Sequence, residues 1–474
     1  MKKPTPALMV LGTGSHVGKS ILTTALCRIF ADDGYRVAPF KAQNMALNSF
    51  ATPDGCEIGR AQALQAEACR ILPCAEMNPV LIKPSSETGA QVVLLGKVWG
   101  QVTAADYHRK RVEELFPIVT ESYHKLAAQH DLILLEGAGS PAEINLKARD
   151  IVNLRMAKAA QAACLLVGDI DRGGVFASLY GTMQLLDEEE RGQIRGFAIN
   201  KFRGDMSLLH PGVEMIEQRM ERKCAGVIPY LPKLGLDEED GVAMEDRRTV
   251  KRTWNDSGGR LRVGVLALPH MSNFTDFDPL SLEPSVALAY LERPEDVAQC
   301  HVLILPGTKQ TLDDLDWLRR SGFAEPIQHF SGPVLGICGG MQMLGEQIAD
   351  QEGVEGPARE MPGLGKLGIR TVMRGEKIVR QVRTAQITGY EIHMGETIGE
   401  PVSPDGRITG TYIHGLLDAD EFRHNWITTM RTECRLPPPA VLANVSADRE
   451  ARINRLAAHV REWLDIAMLK SWIS

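Results

Sequence analysis

Short, unbroken apolar runs recur along this chain. Each is closed by glycine or a polar turn, and most lead into a stretch with apolar residues three and four apart. Ala7–Gly12, Arg36–Phe40, Asp131–Glu136, Ala163–Asp169 and Gly196–Asn200 are such runs in the first half; Arg262–Pro269, His301–Leu305 and Val334–Ile337 follow in the second. Runs of this length without alternation read as strands buried on both faces. The periodic segments between them, Ile21–Phe30 and Ile58–Cys69 among them, read as helices. Strand and helix alternating in this way predict two mostly parallel, doubly wound α/β domains. Between them Lys233–Gly259 carries the charge runs LDEEDG and DRRTVKR and then NDSGG, which reads as a linker. The expected units are therefore a first domain at 1–232, a linker at 233–259, a second domain at 260–433 and a tail at 434–474. Ile453, Leu456, Val460, Trp463, Leu464 and Met468 give the tail helical periodicity, and it is expected to pack on the second domain.

A length of 474 residues is too great for one core, which agrees with two domains. A net charge of −7 argues against general nucleic-acid binding, though it permits a local basic pocket. Nine scattered cysteines with no C-x-x-C pair suggest neither zinc nor a disulfide scaffold, and a reducing cytoplasm fits them. No apolar run is long enough for a membrane span, and the first run, which enters a glycine loop, is expected to be a strand and not a signal peptide.

Two strand-to-helix turns carry chemistry. GTGSHVGKS follows the first strand: Gly12, Thr13, Gly14, Ser15, His16, Val17 and Gly18 offer main-chain N–H groups to phosphate, Lys19 reaches the outer phosphates, and the Ser20 hydroxyl suits Mg²⁺. The spacing is G-x5-GKS, one residue longer than the usual phosphate loop, with Thr13 where the first glycine normally stands. In the second half, PVLGICGGMQMLG runs from a buried strand into a turn at Cys338. A lone cysteine reads as a small buried apolar residue. A cysteine on a glycine-rich elbow at a helix N-terminus is an exposed nucleophile, with N–H groups that favour thiolate and oxyanion.

The G-x-C-x-G-x-Q spacing from Gly336 to Gln342 resembles the nucleophile elbow of class I, triad-type glutamine amidotransferases, which release ammonia from glutamine. That resemblance implies a histidine base, and two are candidates: His393 in GYEIHMGE and His414 in GTYIHGLL, of which His414 is the better match. It also implies oxyanion N–H groups at Gly307, in the PGTKQT loop, and at Gly339. The glutamate usual two residues after the histidine is replaced by Leu416, so a third member is absent or comes from elsewhere, with Glu391 a weak candidate. Residues 7–232 resemble dethiobiotin synthetase and its relatives. There Lys41 matches a phosphate-contacting lysine, Glu136 a magnesium ligand, and Asn200 a residue that reads adenine.

Lys41–Ser49, Glu57–Ala68, Asn78–Pro84, Gly168–Ser178 and Ile199–Asp205 are dense in amide, charged and glycine residues, and each is expected to bring loops to the site. Together with the Cys338 elbow they resemble the cobyric acid synthase family across almost the whole chain. The resemblance implies a P-loop α/β domain followed by a class I glutamine amidotransferase domain, with ATP and Mg²⁺ as cofactors. Glutamine, ATP and a corrinoid diamide would be the small-molecule partners. The b, d, e and g carboxylates of adenosylcobyrinic acid a,c-diamide would become amides through acyl phosphates. Glu57 is then a second candidate for the metal, and Asn44, Lys83, Asp171, Arg172, Lys201 and Arg203 are candidates for the polyanionic substrate. Two alternatives stay open: cobyrinic acid a,c-diamide synthase, which has the same two domains, and a P-loop ATPase switch with a non-catalytic C-terminal binding module.

Overall fold

The computed structural model describes residues 4–84, 89–103, 112–232, 234–236, 258–384 and 387–474; most of the expected linker lies outside them. The first domain is built on six parallel strands in the order Lys223–Pro229, Ile194–Phe202, Ala163–Asp169, Ala7–Gly12, Leu132–Glu136 and Val37–Phe40. Ala7–Gly12 is buried along its whole length, as an unbroken apolar run covered on both faces should be. Its C-terminal end, with those of Leu132–Glu136 and Val37–Phe40, delivers the glycine loop, Glu136 and Lys41 to one edge of the sheet, where open α/β sheets hold ligands.

Three segments expected as site loops contain strands. Gln43–Met45 and Val80–Pro84 pair in a side sheet completed by the hairpin Gly89–Leu94 and Lys97–Thr103. Ser49–Ala51 and Glu57–Gly59 form a second, two-stranded ribbon, and Arg60–Ala68 is the helix after it. The apolar VLI of Val80–Ile82 is fully buried there, which is why this stretch is a strand and not a loop.

The second domain holds five parallel strands in the order Val286–Leu291, Leu261–Leu266, Val302–Leu305, Val334–Ile337 and Ile408–Thr411. A small antiparallel sheet of Ile378–Arg383, Thr388–His393 and Ile413–His414 stands beside it.

The tail departs from expectation. It forms two helices, Val445–Trp463 and Ile466–Ile473, and both return to the first domain. Ile453, Leu456, Val460, Leu469 and Ile473 share a core with Leu8, Leu22, Leu26 and Leu165. Arg28, fully buried on the helix Lys19–Asp32, is paired with Glu450 and accepted by Asn454 at 2.7 Å. An amphipathic stripe tells that a helix is covered; it does not tell by which surface. Among the described residues no helix is long and apolar enough to cross a membrane.

Candidate active sites

In the second domain the buried strand Val334–Ile337 passes into the helix Gly339–Leu344 through Cys338, which sits at φ 50°, ψ −113°. A non-glycine residue in that region is strained, and strain of this kind persists only where the surroundings impose it. Here the Cys338 N–H donates to the Thr411 carbonyl at 2.7 Å, and Gly340 lies so close to the Leu305 carbonyl that no side chain fits. His414, at the end of Ile413–His414, is buried beside Cys338, whose Sγ lies 3.7 Å from the Ile392 carbonyl. Its Nδ1 lies 2.6 Å from Asp276 Oδ2, while Asp276 Oδ1 accepts the Gly415 N–H at 2.9 Å. Burial acts to lower the His414 pKa, but the charge and hydrogen bond of Asp276, helped by Cys338, outweigh it and raise the pKa to about 10. A methyl group on Gly307 would meet His414 Cε1 at 3.0 Å and Cys338 Cβ at 3.7 Å, so this loop closes directly over the pair. Its N–H has no acceptor among the described residues, and Gly339 opens the helix, where an N–H has no partner in a preceding turn.

Asp276 was not singled out in the sequence: NFTDFDPL reads only as a turn. It comes from a short 3₁₀ turn, Phe274–Phe277, 138 residues before the histidine it supports. Glu391 is not the third member. The hydrogen bond from His393 and the Arg380 guanidinium hold it at about 2 against burial, and Arg380 Nε donates to it at 2.7 Å. His393 is committed elsewhere, with its ring stacked 3.6 Å from Tyr412 and its Nδ1 3.1 Å from the Gly395 carbonyl.

In the first domain the carboxylate of Glu136, buried at its strand's end, gathers the sequence-predicted groups. Ser20 Oγ donates to Oε1 at 2.7 Å, Lys41 Nζ to the same oxygen at 2.9 Å, and Gln65 Nε2 to Oε2 at 2.6 Å. Burial acts to raise the Glu136 pKa, but Lys41 and these hydrogen bonds hold it below the usual range. Two oxygens of hard donors, Ser20 Oγ and the Glu136 carboxylate, beside a phosphate loop suit Mg²⁺. Lys19 Nζ donates to the carbonyls of Gly14 at 2.8 Å and Gly139 at 3.1 Å. His16 and Gly18 both take positive φ, 62° and 96°. Asn200 donates to the Val17 carbonyl at 2.9 Å, and Lys201 to the His16 carbonyl at 2.6 Å and to Asp169 at 2.8 Å. Both side chains thus brace the loop.

The other candidates are committed to different partners or lie exposed. Glu57 does not join Glu136 as a metal carboxylate. It is fully buried, one oxygen 2.7 Å from Lys83 Nζ and accepting Ser49 Oγ at 2.7 Å, the other paired with Lys377 of the second domain. Two ammonium groups hold it well below the carboxylate range despite burial. Lys83 is accordingly spent on Glu57, not on a surface substrate. Asn44 is buried with its amide on Gln62 at 3.0 Å. Asp171, Arg172 and Arg203 face solvent, with Arg203 3.1 Å from Asp171 and stacked 3.7 Å from the Tyr230 ring.

The ribbon around Glu57 docks on the triad. Ser49 N donates to Asn273 at 2.9 Å, Phe274 N to Asn48 at 3.1 Å, and Tyr390 Oη to the Ser49 carbonyl at 3.1 Å. The segment carrying Asp276 is thus tied at both Asn273 and Phe274 to the first domain.

Residues 8–242 match the CobQ/CobB/MinD/ParA nucleotide-binding domain model and residues 262–422 the CobB/CobQ-like glutamine amidotransferase domain model. The chain is 44% identical to the cobyric acid synthase of Desulfitobacterium hafniense, covering 99% of this chain and 98% of that protein. It is 46% identical to the one of Sorangium cellulosum, covering 98% and 97%, and 44% identical to the one of a Nostoc species, covering 97% and 98%.

Proposed function

We propose, from the premise that the chain belongs to the cobyric acid synthase family, that it amidates four carboxylates of a corrinoid with ammonia made at Cys338. It is a glutamine-dependent amidotransferase. The finer reading assigns the b, d, e and g carboxylates of adenosylcobyrinic acid a,c-diamide as acceptors, with ATP as the phosphoryl donor.

The observation that carries the reading is the Cys338–His414–Asp276 chain on a strained elbow. His414, held as imidazolium by Asp276, stands beside the sulfur as the proton carrier. Sγ adds to the glutamine amide carbon, and the oxyanion is received by the N–H groups of Gly307 and Gly339. His414 passes its proton to the departing nitrogen, which leaves as ammonia and a γ-glutamyl thioester behind it. His414 then takes a proton from water, which attacks the thioester and returns glutamate and the thiol. Asp276 keeps the imidazole in one tautomer and orientation throughout.

In the first domain the loop N–H groups, Lys19 and Lys41 position ATP for in-line attack by a substrate carboxylate oxygen on the γ-phosphorus, with ADP leaving. Ammonia then attacks the acyl phosphate carbon; phosphate leaves and an amide remains. Ser20 and Glu136 would hold a magnesium ion, which neutralises charge on the phosphate oxygens. Cys338→Ala is expected to abolish amidation with glutamine while amidation with ammonium salts continues. Loss of both would make Cys338 structural and remove the reading.

A further inference from the structure

The cavity that touches Cys338 holds a set of charges the reaction above does not use. It measures about 40 Å³, and Lys83, Lys309, Lys377 and Glu355 line it with the thiol. Glu57, behind it, takes both Lys83 and Lys377. Lys309 is left over. It stands two residues after Gly307, its main-chain N–H on the His270 carbonyl at 3.0 Å. Its ammonium has no hydrogen bond or ion pair among the described residues. Burial lowers its pKa, and the main compensating charge is that of Glu355. An uncommitted ammonium this deeply buried is costly unless an anion visits it.

Glu355 supplies the opposite charge on the same wall. Oε2 accepts the N–H groups of Thr311 at 2.7 Å and Leu312 at 3.3 Å, and Oε1 is 3.1 Å from Thr311 Oγ1. It thereby caps the helix Thr311–Arg320, while Asp350 holds its own N–H at 2.9 Å. Oε1, with a single donor, has a lone pair to spare for a further one. Burial raises the Glu355 pKa to about 7 in the absence of a cationic ligand, against the pull of Lys309 and the helix N–H groups.

We propose that Lys309 and Glu355 receive the α-carboxylate and the α-ammonium of glutamine, fixing its zwitterionic head so that the side-chain amide meets Cys338. The proposal rests on the reading of Cys338 as a glutaminase nucleophile. Three features support it. The ligand has one carboxylate and one ammonium, and the wall offers one uncommitted cation and one anion. Counting Glu57, three lysines face two carboxylates, so the region favours an anionic group. Only two methylenes separate the amide carbon of glutamine from its α-carbon, so the head must sit on a wall of the cavity that contains the sulfur. The cavity as it stands has room for water and not for glutamine. Its walls include Lys309, Met373 and Met394, flexible side chains that repack around a guest.

The test pairs variants with truncated amides, in glutamine-hydrolysis assays on the full chain. 4-Aminobutanamide lacks the α-carboxylate; glutaramate lacks the α-ammonium. Lys309→Ala is expected to raise the KM for glutamine by about 10- to 100-fold with kcat changed little, the size of a lost charge-assisted hydrogen bond. Its preference for glutamine over 4-aminobutanamide should collapse, and Lys309→Arg should recover part of it. Glu355→Gln should instead erase the preference for glutamine over glutaramate. An unchanged glutamine KM in Lys309→Ala would overturn the proposal. So would an equal loss toward glutamine and 4-aminobutanamide, because that is the mark of damage to the nucleophile and not to head recognition. Wild-type protein that hydrolyses none of these amides would overturn the glutaminase reading itself, and the proposal with it.

Discussion

At Cys338 the reacting groups are already assembled: imidazole and carboxylate are hydrogen-bonded and buried beside the sulfur, on an elbow whose backbone is strained into place. At Gly12–Ser20 the groups that would meet triphosphate touch one another. Lys19 sits on loop carbonyls, and Ser20 and Lys41 share an oxygen of Glu136. The difference follows from the two chemistries. A nucleophile must be deprotonated before its substrate arrives, so its network is internal and permanent. A phosphate site trades internal hydrogen bonds for bonds to phosphate oxygens and a metal, so the bonds seen are placeholders that keep buried charges satisfied. Damage at the first centre should therefore be selective for glutamine, and damage at the second should be blind to the nitrogen source.

The largest expected effect is at Asp276. Asp276→Asn should lower glutamine-dependent amidation by roughly 10³- to 10⁴-fold, as loss of the orienting carboxylate does in related triads, and leave the ammonia-dependent rate nearly intact. The His414 pKa would fall with that charge gone, so the alkaline limb of residual glutamine hydrolysis should move to lower pH. Equal losses with both nitrogen sources would erase the contrast between the centres.

Glu136→Gln should cost about 10²- to 10³-fold in kcat with glutamine and with ammonia alike, because it removes the negative charge that Ser20 and Lys41 share. Steady-state rates with each nitrogen source measure this. Glu57→Gln acts on the joint between the centres. It leaves Lys83 and Lys377 buried without their anion, and should cost about 3 kcal/mol in urea unfolding.

His414 also makes stability depend on pH. Its folded pKa of about 10 lies above the ordinary value of 6.5, so the folded state keeps a proton that the unfolded chain loses. Its contribution is complete below about pH 6.5 and is lost as pH rises through 10. Urea midpoints at increasing alkalinity should fall in the wild type and fall less in Asp276→Asn. The smallest effect belongs to Arg203→Glu on the exposed pair with Asp171: stability should change by about 0.5 kcal/mol or less, with a several-fold rise in corrinoid KM and none in ATP KM.

Much of both centres was legible because each sits on a contiguous turn. GTGSHVGKS and the Cys338 elbow place glycines, a basic or nucleophilic residue and a helix start within nine residues or fewer, and local spacing encodes their geometry. His414 needed the family resemblance, since one histidine on a strand says little. Asp276 was illegible: its role comes from a turn in a distant segment, pinned by Asn48 and Ser49 of the other domain. An aspartate among aromatic residues just after the second domain's first strand was the only available signal. Glu57 misled for the same reason, because a carboxylate's partner is set by tertiary contact and Lys377 lies 320 residues away. The tail helices were read correctly as covered and assigned to the wrong domain.

The transfer of nitrogen between the centres is tested most directly by isotope. The protein would be incubated with ATP, magnesium, adenosylcobyrinic acid a,c-diamide and glutamine labelled with ¹⁵N at the amide, in a bath of unlabelled ammonium, and the corrinoid product weighed. The account predicts ¹⁵N in the new amides with the wild type and only ¹⁴N with Cys338→Ala. Label appearing in the product of Cys338→Ala, or absent from that of the wild type, would contradict it.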